Sequence, residues 1–407
     1  MKLKNLFRII GISVIVVGLG ITTYVLAFSS DKADEKKVFA ESTMLSGLWN
    51  AYKLEYWEKD TGRTLDKQQN NITTSEGQSY TMLRAVWQSD KETFDKAWAW
   101  TQEQLQREDN LFSWKWGQKA DGTYGVLTDQ GGQNTASDGD SDIALALVMA
   151  ASRWQDSKYL DQAKMIVDAM WEEEVIIVKG VPYLASNNLE KNSSLDAVMN
   201  PSYLSPYAFR VFAEIDKDPT HDWMALVDSS YDLINKSIDS NLDVGETAHL
   251  VPDWILLNKE TGAIRAPDAN NGPNITTRYG YDAMRTAWRL GLDYQWNKEK
   301  RAKDTLEKMD LLSNAWNDNK KIYSIYSHDG KVISQDEPPE VYGTSMGYFK
   351  TVDSDLADEV YKAKLETLFD PNDNKWAIPM SYYSDNWTWF GIALYDEKLP
   401  NLAKDLK

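Results

Sequence analysis

Helix-length apolar patterns recur in pairs along most of the chain, and this pairing narrows the available folds more than any other feature. Apolar residues at helical spacing appear near 78–88, 91–106, 140–154, 157–172, 204–215, 222–237, 282–294, 298–317, 343–350, 355–368 and 385–396. Alternation at the strand period is scarce, and Val175 to Val181 is the best short candidate. The first members of the pairs begin near residues 76, 138, 203, 282, 343 and 382. A lone helical hairpin cannot bury its own apolar faces, so successive pairs must cover one another. Six such pairs predict an all-α closed ring of helical hairpins, an (α/α)6 barrel, rather than an open solenoid. In a ring whose inner helices run parallel, their starts lie at one end. The unusual polar and aromatic residues stand at those starts: Glu76, Asp138, Tyr203, Asp282 and Tyr382. Side chains far apart in sequence are thereby expected in one cleft.

Composition removes several classes of chemistry. The 407 residues contain no cysteine, which excludes disulfides, thiolate metal sites and cysteine nucleophiles. The three histidines, His221, His249 and His328, are widely separated and match neither a metal site nor a Ser-His-Asp triad. Carboxylates remain as the acid–base groups. A formal net charge of −18 argues against a nucleic-acid partner, because backbone phosphates would be repelled. With 17 Trp and 21 Tyr against 10 Phe, most rings are expected in the core, but the balance also suits a surface that stacks on sugars.

The N-terminus carries Lys2, Lys4 and Arg8, then an uncharged run from Ile9 to Phe28. At about 1.5 Å per residue, such a run just spans a bilayer core of about 30 Å. The leading positive charges place the remainder of the chain outside the cytoplasm. Two readings stay open: an uncleaved signal anchor, which the length and the lack of a clean cleavage site favour, and a signal peptide. Residues 1–30 are assigned to this segment and the polar stretch 31–40 to a tether. No further linker interrupts 41–407, which are expected to form one globular domain, a monomer in its soluble part.

The run from Ala136 to Trp154, ASDGDSDIALALVMAASRW, is the densest in information. Asp138, Asp140 and Asp142 stand together at a helix start. Acidic residues are favourable there, but three exceed what capping needs. A calcium loop would require Gly at its sixth position and Glu at its twelfth, where this chain has Ile143 and Met149. Capping combined with binding of sugar hydroxyls is the better account, and no metal is expected.

In Thr74-Ser75-Glu76-Gly77-Gln78-Ser79-Tyr80, Glu76 reads either as a first-turn acid of a capped helix or as a general acid. A helix N-terminus stabilises the carboxylate, whereas a general acid must hold its proton. The second reading therefore needs desolvation or a neighbouring carboxylate, for which Tyr80 and the Asp138 cluster are available. Asp282 and Arg285 lie three apart on one helix face, as a surface ion pair or as a base held ionised by a cation. Phe112-Ser113-Trp114-Lys115-Trp116-Gly117 reads as a short buried strand or as a platform for a sugar ring. Asn200-Pro201-Ser202-Tyr203 reads as a turn opening a helix, and Tyr382 and Tyr383 as core or cleft. Gly131-Gly132 is too little for a phosphate loop.

These segments resemble glycoside hydrolase family 8, which includes endo-acting cellulases, chitosanases, lichenases and xylanases. Ala136 to Trp154 is similar to the family signature throughout. SEGQSY resembles the general-acid segment, and LFSWKWG, NPSYLSP and YGYDAMRTAWR resemble three further blocks in the right order. The resemblance spans about residues 45 to 396. It implies an (α/α)6 barrel and an inverting endo-glycosidase acting on a β-1,4-linked polysaccharide without cofactor or metal. Glu76 matches the general acid, and Asp282 matches the base of the cellulase-like subgroup. Asp138 matches the carboxylate of the central sugar subsite, with Arg285 as its partner. Trp114, Tyr203, Tyr281 and Tyr382 are carried over as sugar contacts. The segment before Asp282, RAPDANNGPNITTRYG with Asp268 inside it, is longer than the family pattern. A chitosanase, a lichenase or a xylanase is the rival reading within the family. A non-catalytic polysaccharide-binding or export scaffold is the rival outside it.

Overall fold

A computed structural model describes residues 43–193 and 195–406. The expected anchor and tether, 1–30 and 31–40, lie outside the described residues. Among the described helices, none is long and apolar enough to cross a membrane. The chain divides into two compact units, Met1–Gly47 and Leu48–Lys407. Of the first, only the opening turn of a helix is described.

Thirteen α-helices are described, in the order α1 Thr43–Tyr56, α2 Ser75–Trp87, α3 Lys91–Gln104, α4 Ser137–Trp154, α5 Ser157–Glu174, α6 Pro206–Ile215 and α7 Trp223–Asp239. They continue as α8 Arg285–Asn297, α9 Lys300–Lys308, α10 Leu311–Asn319, α11 Pro339–Val352, α12 Ser354–Val360 and α13 Tyr382–Tyr395. Six of them (α2, α4, α6, α8, α11 and α13) form an inner ring. Their sequences predict this: α4 buries every residue from Ser137 to Ser152, and α2 every residue but Glu76. A helix apolar on all sides belongs in the middle of a protein, and one with a charged face belongs outside. Each inner helix packs against the next in chain order. The ring closes where α13 meets α2, through Trp387 Nε1 donating to Tyr80 Oη at 3.1 Å. Arg84 seals the same seam, donating to Asp385 and Asn386 while lying over the rings of Trp49, Tyr52 and Trp389.

This mostly helical arrangement is consistent with the expected (α/α)6 barrel, with several corrections. The ring needs an outer partner for α13, and no helix was expected after 396. That partner is α1, missed in the sequence although Leu48, Trp49, Tyr52 and Tyr56 carry its apolar stripe. The helix expected over 298–317 is two, broken where Met309 turns into the core. The one expected at 282 begins at Arg285. The one expected over 355–368 passes from α12 into a π-helical turn and then a 3-10 turn. Nor is the fold purely helical: five small antiparallel sheets are described. The expected strand at Val175–Val181 is a hairpin, Val175–Val178 paired with Val181–Leu184. Its two turn residues, Lys179 and Gly180, have φ of 53° and 82°, as a tight hairpin requires.

The asymmetry of the connections sets the position of the site. Inner-to-outer turns are short, as between Trp87 and Lys91 or Trp154 and Ser157. The strands lie in the longer outer-to-inner connections, and Thr73–Thr74 leads straight into α2 from the connection after α1. Loop material therefore gathers at the N-terminal ends of the inner helices. Within the ring, glycines let the backbones of α8, α11 and α13 touch. A Cβ at Gly347 of α11 would lie 2.1 Å from the carbonyl oxygen of Ala287 on α8. Gly347→Ala is expected to lower stability by about 1–3 kcal/mol as the helices are forced apart. Gly245→Ala, with nothing within 4 Å of the added carbon, should leave it within about 0.5 kcal/mol. Urea midpoints of the two variants test this.

Candidate active site

A cleft of about 470 Å³ opens at the N-terminal ends of the inner helices, lined by Glu76, Trp114, Asp138, Tyr203, Tyr281 and Tyr382 among others. Thr74 caps α2, its side chain accepting from Gly77 N at 3.0 Å. Glu76 is thus relieved of capping, and its side chain points to the cleft instead. The cap reading and the site reading are divided between two residues.

Arg285, at the first position of α8, is the centre of the site. Its Nη1 donates to Glu76 Oε2 at 2.6 Å and to Asp138 Oδ2 at 3.1 Å. Its Nη2 donates to Asp282 Oδ1 at 2.6 Å and to Ser202 Oγ at 3.0 Å. The Tyr203 ring lies beneath, 5.3 Å from the guanidinium carbon. Arg285 is 1% exposed, so its contact with Asp282 is no surface ion pair. Around the guanidinium, the Glu76 and Asp282 side chains keep 24% and 31% of their surface, while Asp138 keeps 2%. Glu76 lines the cleft with part of its surface free, Asp282 keeps exposed surface across the guanidinium from it, and Asp138 is buried. Burial pushes the Asp138 carboxyl up to about 7, with Arg285 opposing and the Glu76 charge assisting. Burial likewise raises the Tyr382 hydroxyl well above its ordinary value, so it donates as a neutral phenol to Glu76 Oε1 at 2.9 Å.

The other expected residues sit in or beside this cleft. Trp114 donates Nε1 to Gly131 O at 3.0 Å, and its carbonyl accepts from Ser75 N, which ties it to the start of α2. Its neighbour Trp116 is the buried strand residue. Tyr203 ends a 3-10 turn before α6 rather than opening a helix, and packs edge-on against Trp254. Tyr281 is the most exposed of the rings and stands edge-on to Tyr383. Asp268, in the long segment before Asp282, lies at the surface with Arg265 and outside the cleft. Asp282 precedes α8 in a turn, because the amides of Gly280 and Ala283 are taken by a side chain, that of Asp253.

The sequence reading missed Ser202, Asp253 and Glu340, and left Tyr383, which lines the cleft, between core and cleft. Ser202 sits inside the NPSY motif, so the motif was the available signal. Asp253 follows Pro252 with no periodic cue. The two remaining aspartates of the cluster are wholly buried. Asp142 forms a bidentate pair with Arg289 at 3.0 and 2.9 Å. Asp140 accepts from Phe112 N at 3.0 Å and faces Glu174 on α5, which accepts from Thr135 Oγ1 at 2.6 Å. The remaining oxygens, Asp140 Oδ2 and Glu174 Oε2, are buried without another partner, as two carboxyls sharing a proton would be. Burial raises both, Glu174 to about 8. Among the described residues, no cluster has the make-up of a metal site.

With this geometry in view, residues 33–397 match the family described as Glycosyl hydrolases family 8. The chain belongs to that family. It is 26% identical over 348 residues to Endoglucanase A of Acetivibrio thermocellus, covering 84% of this chain and 65% of that protein. It is 30% identical over 242 residues to an endoglucanase of Cellulomonas uda, covering 58% of this chain and 60% of that protein. The chain thus spans roughly 60% of the length of these curated relatives. Among solved structures, an endo-1,4-D-glucanase from Vibrio fischeri superposes with a TM-score of 0.70 at 24% identity, over 86% of this chain and 94% of that one. A beta-1,3-1,4-glucanase from Paenibacillus gives 0.71 at 21% identity, over 88% and 92%. At these identities the superpositions speak for the fold.

The raised Glu174 carboxyl makes a prediction about stability. A carboxyl raised on folding stabilises fully below its unfolded value, near 4.3 for Glu, and loses that contribution as pH rises through about 8. Stability should fall across this window by up to about 1.4 kcal/mol per pH unit for each proton held. Urea titrations at pH 5.5 and 8.5 should show a smaller decline for Glu174→Gln than for the parent. An unchanged decline would count against a proton held there.

Proposed function

We propose that this chain is an inverting endo-glycosidase that hydrolyses a β-1,4-linked polysaccharide, with Glu76 as general acid and Asp282 as general base. One observation carries the reading: two half-exposed carboxylates and a buried third meet around Arg285 in an aromatic-lined cleft. Glu76 donates its proton to the leaving glycosidic oxygen. Asp282 takes a proton from water on the opposite face of the ring, and that water attacks the anomeric carbon. In inverting enzymes the two groups stand about 6.5–9.5 Å apart to admit the water. Bonding to opposite nitrogens of one guanidinium keeps Glu76 and Asp282 apart on either side of it. Proton delivery requires the Arg285 contact to Glu76 to give way to the leaving oxygen, while Asp138 and Asp282 retain the guanidinium. Asp138 and Arg285 hold the central sugar, and Trp114, Tyr203, Tyr281 and Tyr382 receive its neighbours.

A cellulose-like glucan is the favoured substrate, because the matching relatives are endoglucanases. A second reading, a chitosanase, draws on the cleft wall, where Asp66, Glu76, Asp138 and Glu340 outnumber the one cation bonded to them, the buried Arg285. The catalytic part acts as a monomer, since one barrel supplies the whole cleft. The uncharged run Ile9–Phe28 tethers it to the outer face of the membrane, which suits trimming of a polymer made by the same cell.

On soluble β-1,4-glucan, Glu76→Gln and Asp282→Asn should each reduce turnover by about 10²–10⁴-fold. Proton NMR of early products should show the α-anomer. Unimpaired cleavage by either variant, or early β-anomer, would overturn the mechanism. Parallel assays on chitosan decide between the two substrates. Removing residues 1–40 should shift the protein from the membrane pellet to the soluble fraction with turnover retained. An unaltered distribution would sink the tether.

A further inference from the structure

We infer that Asp253 is the positioning residue for Asp282, a role that rests on reading Asp282 as the base. Asp282 does not lie on a helix: it occupies a turn between Tyr279 and α8, where a catalytic side chain would drift unless its backbone were held. Asp253 holds it. Its Oδ1 accepts from Gly280 N at 3.1 Å and from Ala283 N at 2.8 Å, the amides two before and one after Asp282. Its Oδ2 accepts from Arg278 Nε at 3.1 Å. One carboxylate therefore clamps the base's turn on both sides of the base from a buried position outside the cleft lining.

The clamp is rigidly mounted. Asp253 N donates to Arg278 O at 2.7 Å, and Trp254 N to Thr276 O at 3.0 Å. Immediately after it, Ile255–Asn258 is the central strand of a three-stranded sheet, paired with Asp196–Met199 and Ile264–Arg265. On the other side, Tyr279 and Tyr326 exchange two backbone hydrogen bonds of 2.9 Å. The fit is close: a Cβ on Gly280 would stand 2.7 Å from Asp253 Oδ2. The long segment before Asp282 thus has a use in this chain, as the mount for the base.

A displacement of about 1 Å at a reacting group costs on the order of 10²-fold. Asp253→Ala should lower kcat by about that factor, with KM changing by less than kcat, because Asp138, Trp114, Tyr203 and Tyr382 lie outside the clamped turn and only Tyr281 moves with it. Asp253→Asn keeps an oxygen acceptor for the two amides and should recover at least about tenfold of the loss. Gly280→Ala pushes the same carboxylate aside without removing it and should give the same kcat phenotype, which covers the case of an Asp253→Ala protein that does not fold. In an Asp282→Asn background, Asp253→Asn and Gly280→Ala should cause no further loss, since nothing remains to be positioned. Unchanged kcat in folded Asp253→Ala or Gly280→Ala, or losses that multiply in the double variants, would overturn the positioning role while leaving Asp282 as base. Full turnover by Asp282→Asn alone would instead show that the base is elsewhere, and the positioning role would fall with it.

Discussion

The buried guanidinium of Arg285 is the constraint around which the site is built. A cation removed from water is costly unless its donors are paired, and breaking one such pair typically costs 3–5 kcal/mol (roughly). Arg285 satisfies this with Glu76, Asp138, Ser202 and Asp282, which come from α2, α4, the turn before α6 and the turn before α8. The planar fork fixes directions as well as distances, which a lysine ammonium would not. Burial disfavours the charged form of Arg285, yet the carboxylates around it, Asp282 and Asp138 among them, hold it charged, well above the ordinary range. Moving any of the four segments would strand a donor, so the ring of helices and the geometry of the carboxylates are specified together.

The barrel makes this possible by dividing labour between its two ends. At the C-terminal ends of the inner helices the turns are short, and along α11 and α13 backbones approach so closely that Gly343, Gly347 and Gly391 have no room for a side chain. That packing leaves the ring little freedom to shift. At the other end, the long connections with their small sheets shape a cleft without disturbing the ring. The strand Thr73–Thr74 pairs with Lys115–Gln118 and delivers the chain straight into α2. Glu76 and the Trp114 platform are thereby held in one register.

Much of this was legible in the chain because the inner helices repeat one physical demand. They are buried over most of their length, and α2, α4 and α13 begin with a polar or aromatic residue at the cleft, so Glu76, Asp138 and Tyr382 stood out against apolar runs. What was not legible depended on contacts across space. The sheets are strands of two to four residues, too short for alternation to register. Asp253 acts through the amides of Gly280 and Ala283, more than 25 positions away (280 − 253 = 27). Nothing in its neighbourhood separates it from Asp268, which lies fifteen positions on, inside the long segment and at the surface. Helix α1 is a different case: its stripe was readable, but it follows directly on the polar stretch taken as a tether.

The aspartate cluster shows how spacing turns into function. Residues on a helix advance by about 100° each, so positions i and i+4 share a face while i+2 points away. Asp138 and Asp142 therefore face one way, toward Arg285 and Arg289, which are themselves four apart on α8. Two ion-pair rungs span the barrel between α4 and α8. The lower rung is sealed: Arg289 also donates to Ser205 Oγ at 2.6 Å and Tyr207 Oη at 2.7 Å. It fixes how far the two helices slide past each other, and the upper rung is placed by that register. Asp140, turned to the other face, meets Glu174 and Phe112 N and fastens α4 to the outer layer and to the segment carrying Trp114. Identical side chains at a spacing of two thus divide into one group at the cleft and two that hold it in place. The difference lies only in which partner the helix turns them toward.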